Sequence, residues 1–196
     1  MAQNYRLQDR GRVDLERPID FTYNGKRYRG HAGDTVASAL LANGIHLVGR
    51  SFKYHRPRGI LGAGAEEPNA LLQVESGART LPNVRATQAE LYDGMSVTSV
   101  NAWPGPETDI GAVNQLFAKL FPAGFYYKTF MWPGKAWPTY EKVIRHAAGL
   151  GKAPTEADPD FYDKRYAHCD VLVAGGGPAG LAAALTAARS GARVIL

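Results

Sequence analysis

The stretch IDFTYNGKRYRG, residues 19–30, decides how the N-terminal half of this chain is read. Ile19, Phe21 and Tyr23 alternate with polar residues, Asn24-Gly25 follows, and a second alternating run continues through Tyr28. Alternation puts one set of side chains on one face of a strand, and Asn-Gly supplies the two positive-φ positions of a two-residue hairpin turn. The spacing predicts two antiparallel strands. Working outward, GDTVASALLANGI, residues 33–45, predicts a short helix capped by Asp34, with an apolar stripe of Val36, Ala39, Leu40 and Leu41 and a stop at Asn43-Gly44. Further on, ALLQVE (residues 70–75) reads as a buried strand, and VRATQAELYDGMSVTSV (residues 84–100) as two more strands around Asp93-Gly94. Hairpin, helix, loop, strand and strand pair is the order of a β-grasp domain.

The loop between the helix and the third strand is RPRGILGAGAEEPNALLQVE, residues 56–75. Plant-type ferredoxins, which share the β-grasp order, hold a cluster there with thiolates spaced C-x4-C-x2-C. Leu61, Glu66 and Asn69 stand at that spacing, with Gly62 and Gly64 between the first two. Neither Leu nor Asn replaces a thiolate on iron, so this reading expects no iron–sulfur cluster. The domain is then a cluster-free relative of a ferredoxin whose loop serves structure and assembly.

Composition narrows the possibilities. With 196 residues, 45% of them apolar, the chain can bury a core and hold one or two domains. It has no apolar run of about twenty residues, the length a membrane-spanning helix needs, and MAQNYRLQDRGR lacks the apolar core of a secretory signal. The expected location is cytoplasmic, with no membrane partner. Cys169 is the only cysteine, which excludes an internal disulfide or a multi-cysteine site built by this chain alone. The net charge of +5 is spread out except in GRSFKYHRPRG, residues 49–59. There Arg50, Lys53, Arg56 and Arg58 interleave with Phe52, Tyr54 and His55. One such run is a poor match to nucleic-acid binding. We expect no nucleic acid, and a basic loop that faces an anionic cofactor or an acidic partner surface.

Residues 101–166 read as a Pro- and aromatic-rich connector, after a β-grasp domain over residues 1–100. DIGAVNQLFAKLF and TYEKVIRHAAG have helical spacing, each followed by a Pro or Gly stop. Phe125, Tyr126, Tyr127, Phe130, Met131 and Trp132 form a run of large side chains expected to be buried at an interface or between domains. His31, His46, His55, His146 and His168 have no partners at metal-ligand spacing, so no metal site is expected.

The last region, residues 167–196, carries the sharpest motif. HCDVLVAGGGPAGLAAALTAARSGARVIL is a strand from Asp170 to Ala174, then Gly175-x-Gly177-x-x-Gly180, an Ala/Leu-rich helix ending at Ser190-Gly191, and the start of a second strand. In such a unit the first glycine permits a tight turn, the second lets the backbone approach a pyrophosphate, and the third permits close helix–strand packing. A proline at the start of the helix leaves the free first-turn N–H groups facing the phosphates. This is the first β-α-β of an α/β Rossmann-type dinucleotide-binding domain. Since the ribose-binding acid of such units lies at the end of the second strand, the domain is expected to continue past Leu196, with weak binding by these residues alone.

On GDTVASALLANGI, GRSFKYHRPRGI, NAWP, PAGFYYKTFMWP and CDVLVAGGGPAGLAAA, nearly the whole chain resembles the N-terminal part of the α subunit of heterotetrameric sarcosine oxidase. The resemblance implies oxidative demethylation of sarcosine to glycine, with hydrogen peroxide and formaldehyde, or methylene-tetrahydrofolate when folate is present. It implies β, γ and δ subunits as partners, NAD in the unit begun here, FMN and FAD in the assembled enzyme, and tetrahydrofolate in a later region of the α subunit. By motif matching, Gly175, Gly176, Gly177, Pro178, Ala179 and Gly180 are the expected phosphate contacts. No catalytic residue falls in these residues, because substrate oxidation belongs to the β subunit in that family. Two other readings stay open: a subunit of a related opine or amino-acid dehydrogenase or cyanide synthase, and a non-catalytic β-grasp docking module.

Overall fold

The computed structural model describes residues 3–120, 124, 130, 132–147 and 149–196. The chain divides into two compact units, Met1–Pro159 and Asp160–Leu196.

In the first unit, strands β1 (Asp14–Tyr23) and β2 (Lys26–Ala32) pair antiparallel, with Tyr23 opposite Lys26. Asn24 and Gly25 turn the chain with φ of 48° and 76°, as the hairpin reading requires. Helix α1 (Val36–Ala42) follows, then the short antiparallel pair β3 (Gly49–Arg50) and β4 (Pro57–Arg58). Strands β5 (Leu71–Val74), β6 (Leu81–Arg85) and β7 (Ser96–Ser99) complete a five-stranded mixed sheet in the order β2-β1-β7-β5-β6. Only the β1–β7 pairing is parallel. Alternate residues Phe21 and Tyr23 of β1, Leu72 and Val74 of β5, and Val97 of β7 meet Val36, Ala39 and Leu40 of α1 in one apolar core. The Tyr23 hydroxyl sits within this layer and donates to the Val48 carbonyl at 3.3 Å; burial pushes its pKa up to about 12.

Two features depart from the sequence reading. The N-cap of α1 is Thr35, whose Oγ1 accepts from the Ser38 N–H at 3.2 Å while Ser38 Oγ accepts from the Thr35 N–H at 3.0 Å. Asp34, one residue earlier, is fully buried instead. Its carboxylate accepts from the His31 N–H at 2.9 Å and from Ser38 Oγ at 2.6 Å, and pairs with Arg6 at 2.6 Å. It ties the N-terminal segment, the end of β2 and the helix start together.

The second departure concerns residues 84–100, which do not form adjacent strands. β6 begins at Leu81 and pairs with β5, whereas β7 lies between β1 and β5. Residues 86–91 stay outside the sheet because their backbone serves α1: the Val36 N–H donates to the Ala89 carbonyl and the Ala37 N–H to the Ala86 carbonyl, both at 2.9 Å. The free first-turn N–H groups of a helix need such acceptors, and this requirement outweighs local strand preference.

Beyond the sheet, residues Ile110–Leu120 form a 3-10 helix and α2 runs from Trp137 to Ala147. Of the expected aromatic cluster, Phe125, Tyr126, Tyr127 and Met131 lie outside the described residues. Phe130 packs on the Tyr140 ring at 5.3 Å, and Trp132 is exposed.

In the second unit, β8 (Val171–Leu172) and β9 (Val194–Ile195) pair in parallel across helix α3 (Pro178–Arg189). The strands are shorter than the sequence reading, although backbone bonds continue the pairing on both sides, from the Asp170 N–H to the Arg193 carbonyl and from the Val173 N–H to the Ile195 carbonyl.

Asp34→Ala leaves the part-buried Arg6 side chain, the His31 N–H and the Ser38 hydroxyl without their buried carboxylate, a loss of the kind that costs about 3–5 kcal/mol. Chemical denaturation should show a fall of that size, and an unchanged midpoint would remove Asp34 from this role.

Candidate functional site

The loop of residues 61–70 is built around carboxylates. Leu61 and Gly62 donate their backbone N–H groups to Glu67 Oε2, the first at 2.7 Å, and Asn69 and Ala70 donate theirs to Oε1 at 2.8 and 3.2 Å. Glu67 is only 2% exposed, so this clustering of donors is what lets a charge stay inside. Burial pushes its carboxyl up, and the backbone N–H groups of Gly62, Asn69, Leu61 and Ala70 together outweigh that and hold it below the usual carboxylate range. Glu66 turns the other way and accepts from the Ala63 and Gly64 N–H groups at 3.2 and 3.0 Å. The ligand-spacing template fell on Leu61, Glu66 and Asn69; the inward acid is Glu67.

Next to this loop, the basic stretch forms a tightly tied hairpin. The Ser51 N–H donates to the Arg56 carbonyl at 2.8 Å, the His55 N–H to the Ser51 carbonyl at 2.9 Å, and the Arg56 N–H to Ser51 Oγ at 2.9 Å. Tyr54 is flanked by Lys53 Nζ at 4.9 Å and the Arg56 guanidinium at 4.8 Å from its ring centroid. The root is held from the connector. His55 Nδ1 meets Asp109 Oδ2 at 2.6 Å, and Arg50 Nε donates to the Pro106 carbonyl at 2.7 Å. Asp109 in turn accepts from the Trp103 and Gly111 N–H groups, at 3.2 and 3.0 Å. These bonds fix the Arg50 side chain and the root of the hairpin.

The glycine motif of the second unit has the shape its chemistry needs. Gly175 has φ of 120°, open to glycine and rarely to other residues. A Cβ built on Gly176 or Gly177 would meet nothing within 4 Å, so the backbone face there is bare. A Cβ on Gly180 would collide with the Gly175 carbonyl oxygen. Its absence lets α3 close on the loop. Gly177 is the N-cap and Pro178 occupies the first helical turn, so the N–H groups of that turn, with Ala179 and Gly180, lie beside the bare face. All six expected phosphate contacts therefore lie on one turn. The space in front of Gly176 and Gly177 is open, and a side chain on either would enter it.

Replacing Glu67 by Gln removes two charge-assisted acceptor pairs and should cost about 2–3 kcal/mol. The sign of the pH dependence follows from its lowered pKa: the contribution is complete above the ordinary carboxylate value of about 4.3 and is lost as pH falls through the lower folded value. Denaturation midpoints between neutral and acid pH should fall less steeply for Glu67→Gln than for the parent. Parallel curves would show that Glu67 does not anchor the loop.

Comparison with known proteins bears on both units. Residues 16–102 match the family described as a 2Fe-2S iron–sulfur cluster binding domain, in keeping with the β-grasp order. This match overturns the expectation of a cluster-free domain, since the family is a cluster-binding one and missing thiolates at three template positions are no ground for excluding a cluster. At the template positions the side chains present do not fit thiolate ligation: Leu61 is exposed, and Glu66 and its neighbour Glu67 are taken up by backbone donors. Residues 170–196 match the family described as FAD dependent oxidoreductase. The cofactor that this family's description names is FAD; it says nothing of the NAD expected in this unit.

Among individual proteins, sarcosine oxidase subunit alpha of Rhizobium meliloti (strain 1021) is 63% identical over 98% of this chain and 20% of its own length. That of Corynebacterium sp. (strain U-96) is 38% identical over 94% of this chain and 15% of its own. The solved L-proline dehydrogenase of P. horikoshii aligns over 47% of this chain and 16% of its own, at 20% identity and a TM-score of 0.33. The chain thus spans no more than about a fifth of the curated relatives it matches. Across almost its whole length, the chain is similar to the N-terminal part of sarcosine oxidase subunit alpha.

Proposed function

We propose that this chain is the N-terminal part of the alpha subunit of a flavin-dependent sarcosine oxidase, in which Gly175, Gly176, Gly177, Pro178, Ala179 and Gly180 hold the pyrophosphate of a dinucleotide. The overall reaction is oxidative demethylation. Sarcosine loses two electrons and two protons at its N-methyl group, dioxygen takes them up as hydrogen peroxide, and water releases glycine and formaldehyde; with folate present, the one-carbon unit leaves as methylene-tetrahydrofolate. The dinucleotide supplies the capacity to accept a hydride. These residues supply its seat: bare backbone at Gly176 and Gly177, and the positive end of α3 directed at the phosphates.

The observation that carries the reading is the bare turn in a chain 63% identical to a sarcosine oxidase subunit alpha. Other subunits of such an enzyme are the partners, and the basic hairpin of residues 49–58, tied at its root by Asp109, is a surface suited to an acidic neighbour.

The geometry makes the test clean. A side chain at Gly177 meets no protein atom, and its φ of −72° suits any residue. Gly177→Val in the natural-length protein should therefore leave the thermal unfolding midpoint unchanged while dinucleotide affinity, measured by titration with NAD and by the FAD retained on purification, falls at least a hundredfold. Unaltered binding of both nucleotides would remove the phosphate-loop assignment.

A further inference from the structure

A cavity of about 590 Å³ lies in the first unit, between the sheet edge and α2, and neither the glycine loop nor the matched families assign it a role. Its volume falls within the range of small-molecule sites. The walls are mostly apolar: Phe52 of the basic hairpin, Trp137 and Ile144 of α2, Leu150, and Leu71 at the start of β5. Trp137, 50% exposed, leaves aromatic surface open to solvent at the opening.

The polar groups around it separate into those already committed and those free to receive a ligand. Arg50 is held by the Pro106 and His55 carbonyls, and the Asn101 amide bonds the Arg50 backbone in both directions. Arg145 is paired with Glu141 at 2.6 Å. The Asn83 amide oxygen accepts from the Gly151 N–H at 3.1 Å. Arg58 and the Asn69 side-chain amide, both lining the cavity, make no ion pair or side-chain hydrogen bond among the described residues. With three arginines against one glutamate in the lining, the cavity carries surplus positive charge. Asn69 is placed there by the Glu67 carboxylate, which accepts its backbone N–H at 2.8 Å.

We propose that this cavity is a binding site for a small molecule with a planar apolar body and one anionic head, the body lying against Phe52, Trp137 and Leu150 and the head meeting Arg58 and the Asn69 amide. A carboxylate, sulfonate or phosphate serves equally as the head, because a guanidinium forks onto two oxygens of any of them. The inference stands on the first unit alone and does not depend on the dinucleotide reading.

Anilinonaphthalenesulfonate has this chemistry, and N-phenylnaphthylamine is the same body without the charge. Titrated against the natural-length protein, the sulfonate should bind at one saturable site with fluorescence transfer from Trp137. Leu150→Trp, at a position 43% exposed, fills the space without entering the core and should abolish binding of both probes. Arg58→Gln should weaken the sulfonate about tenfold and leave the neutral probe unaffected. Unfolding midpoints of both variants matching the parent would assign the changes to the site. Absence of saturable binding, as when a later segment of the polypeptide fills the cavity, would overturn the proposal; so would binding indifferent to Leu150→Trp, or equal loss of both probes in Arg58→Gln.

Discussion

A single buried carboxylate governs how the first unit is organised. The residues from Leu61 to Ala70 lie outside the sheet, so their backbone N–H groups have no ladder partners, and those at the two ends of the loop turn inward to Glu67. Glu67 serves both ends, accepting at Leu61 and Gly62 on one side and at Asn69 and Ala70 on the other. That closure delivers the chain to β5, which lies between β6 and β7, so the sheet order depends on it. It also lowers Asn69 toward the cavity and draws the Arg85 guanidinium of β6 to the Glu67 carbonyl at 3.3 Å. The desolvation of one charge is offset by several short bonds, which is the condition under which a buried carboxylate holds a structure together.

A second carboxylate pattern repeats this logic at the two neighbouring junctions. Asp34 joins the N-terminal segment to the start of α1, and Asp109 joins the basic hairpin to the connector through His55. Each links segments far apart in sequence and lies almost entirely out of water. Side chains that would otherwise sample many rotamers are thereby held in defined places. In the second unit the glycine loop instead exposes bare backbone beside the N-terminal end of α3.

Local chemistry was legible wherever a short-range rule had no competitor. Asn24-Gly25 specified the hairpin, Gly44 the helix stop, and Gly175 to Gly180 the strand–turn–helix, because each needs a backbone conformation or close approach that few other residues permit. What was not legible depended on distant partners. Asp34 has the character of an N-cap in the sequence, and only the arrival of Arg6 and His31 makes it a buried junction. Residues 86–91 have strand character, and only the unmet N–H groups of α1 draw them away. The ligand-spacing template drew attention to Leu61, Glu66 and Asn69, whereas the burial that selects Glu67 is a property of the folded loop. Absent thiolates likewise misled the cofactor reading, since the family matched over residues 16–102 is a cluster-binding one.

The most direct measurement is anaerobic addition of sarcosine to the natural-length protein purified together with the subunits that accompany it, while the visible absorbance of bound flavin is followed. Bleaching by sarcosine but not by glycine, with hydrogen peroxide and formaldehyde appearing in equal amounts once air is admitted, is the predicted result. A flavin that stays oxidised with sarcosine, or is reduced only by a different amine, would contradict the assignment to sarcosine oxidase.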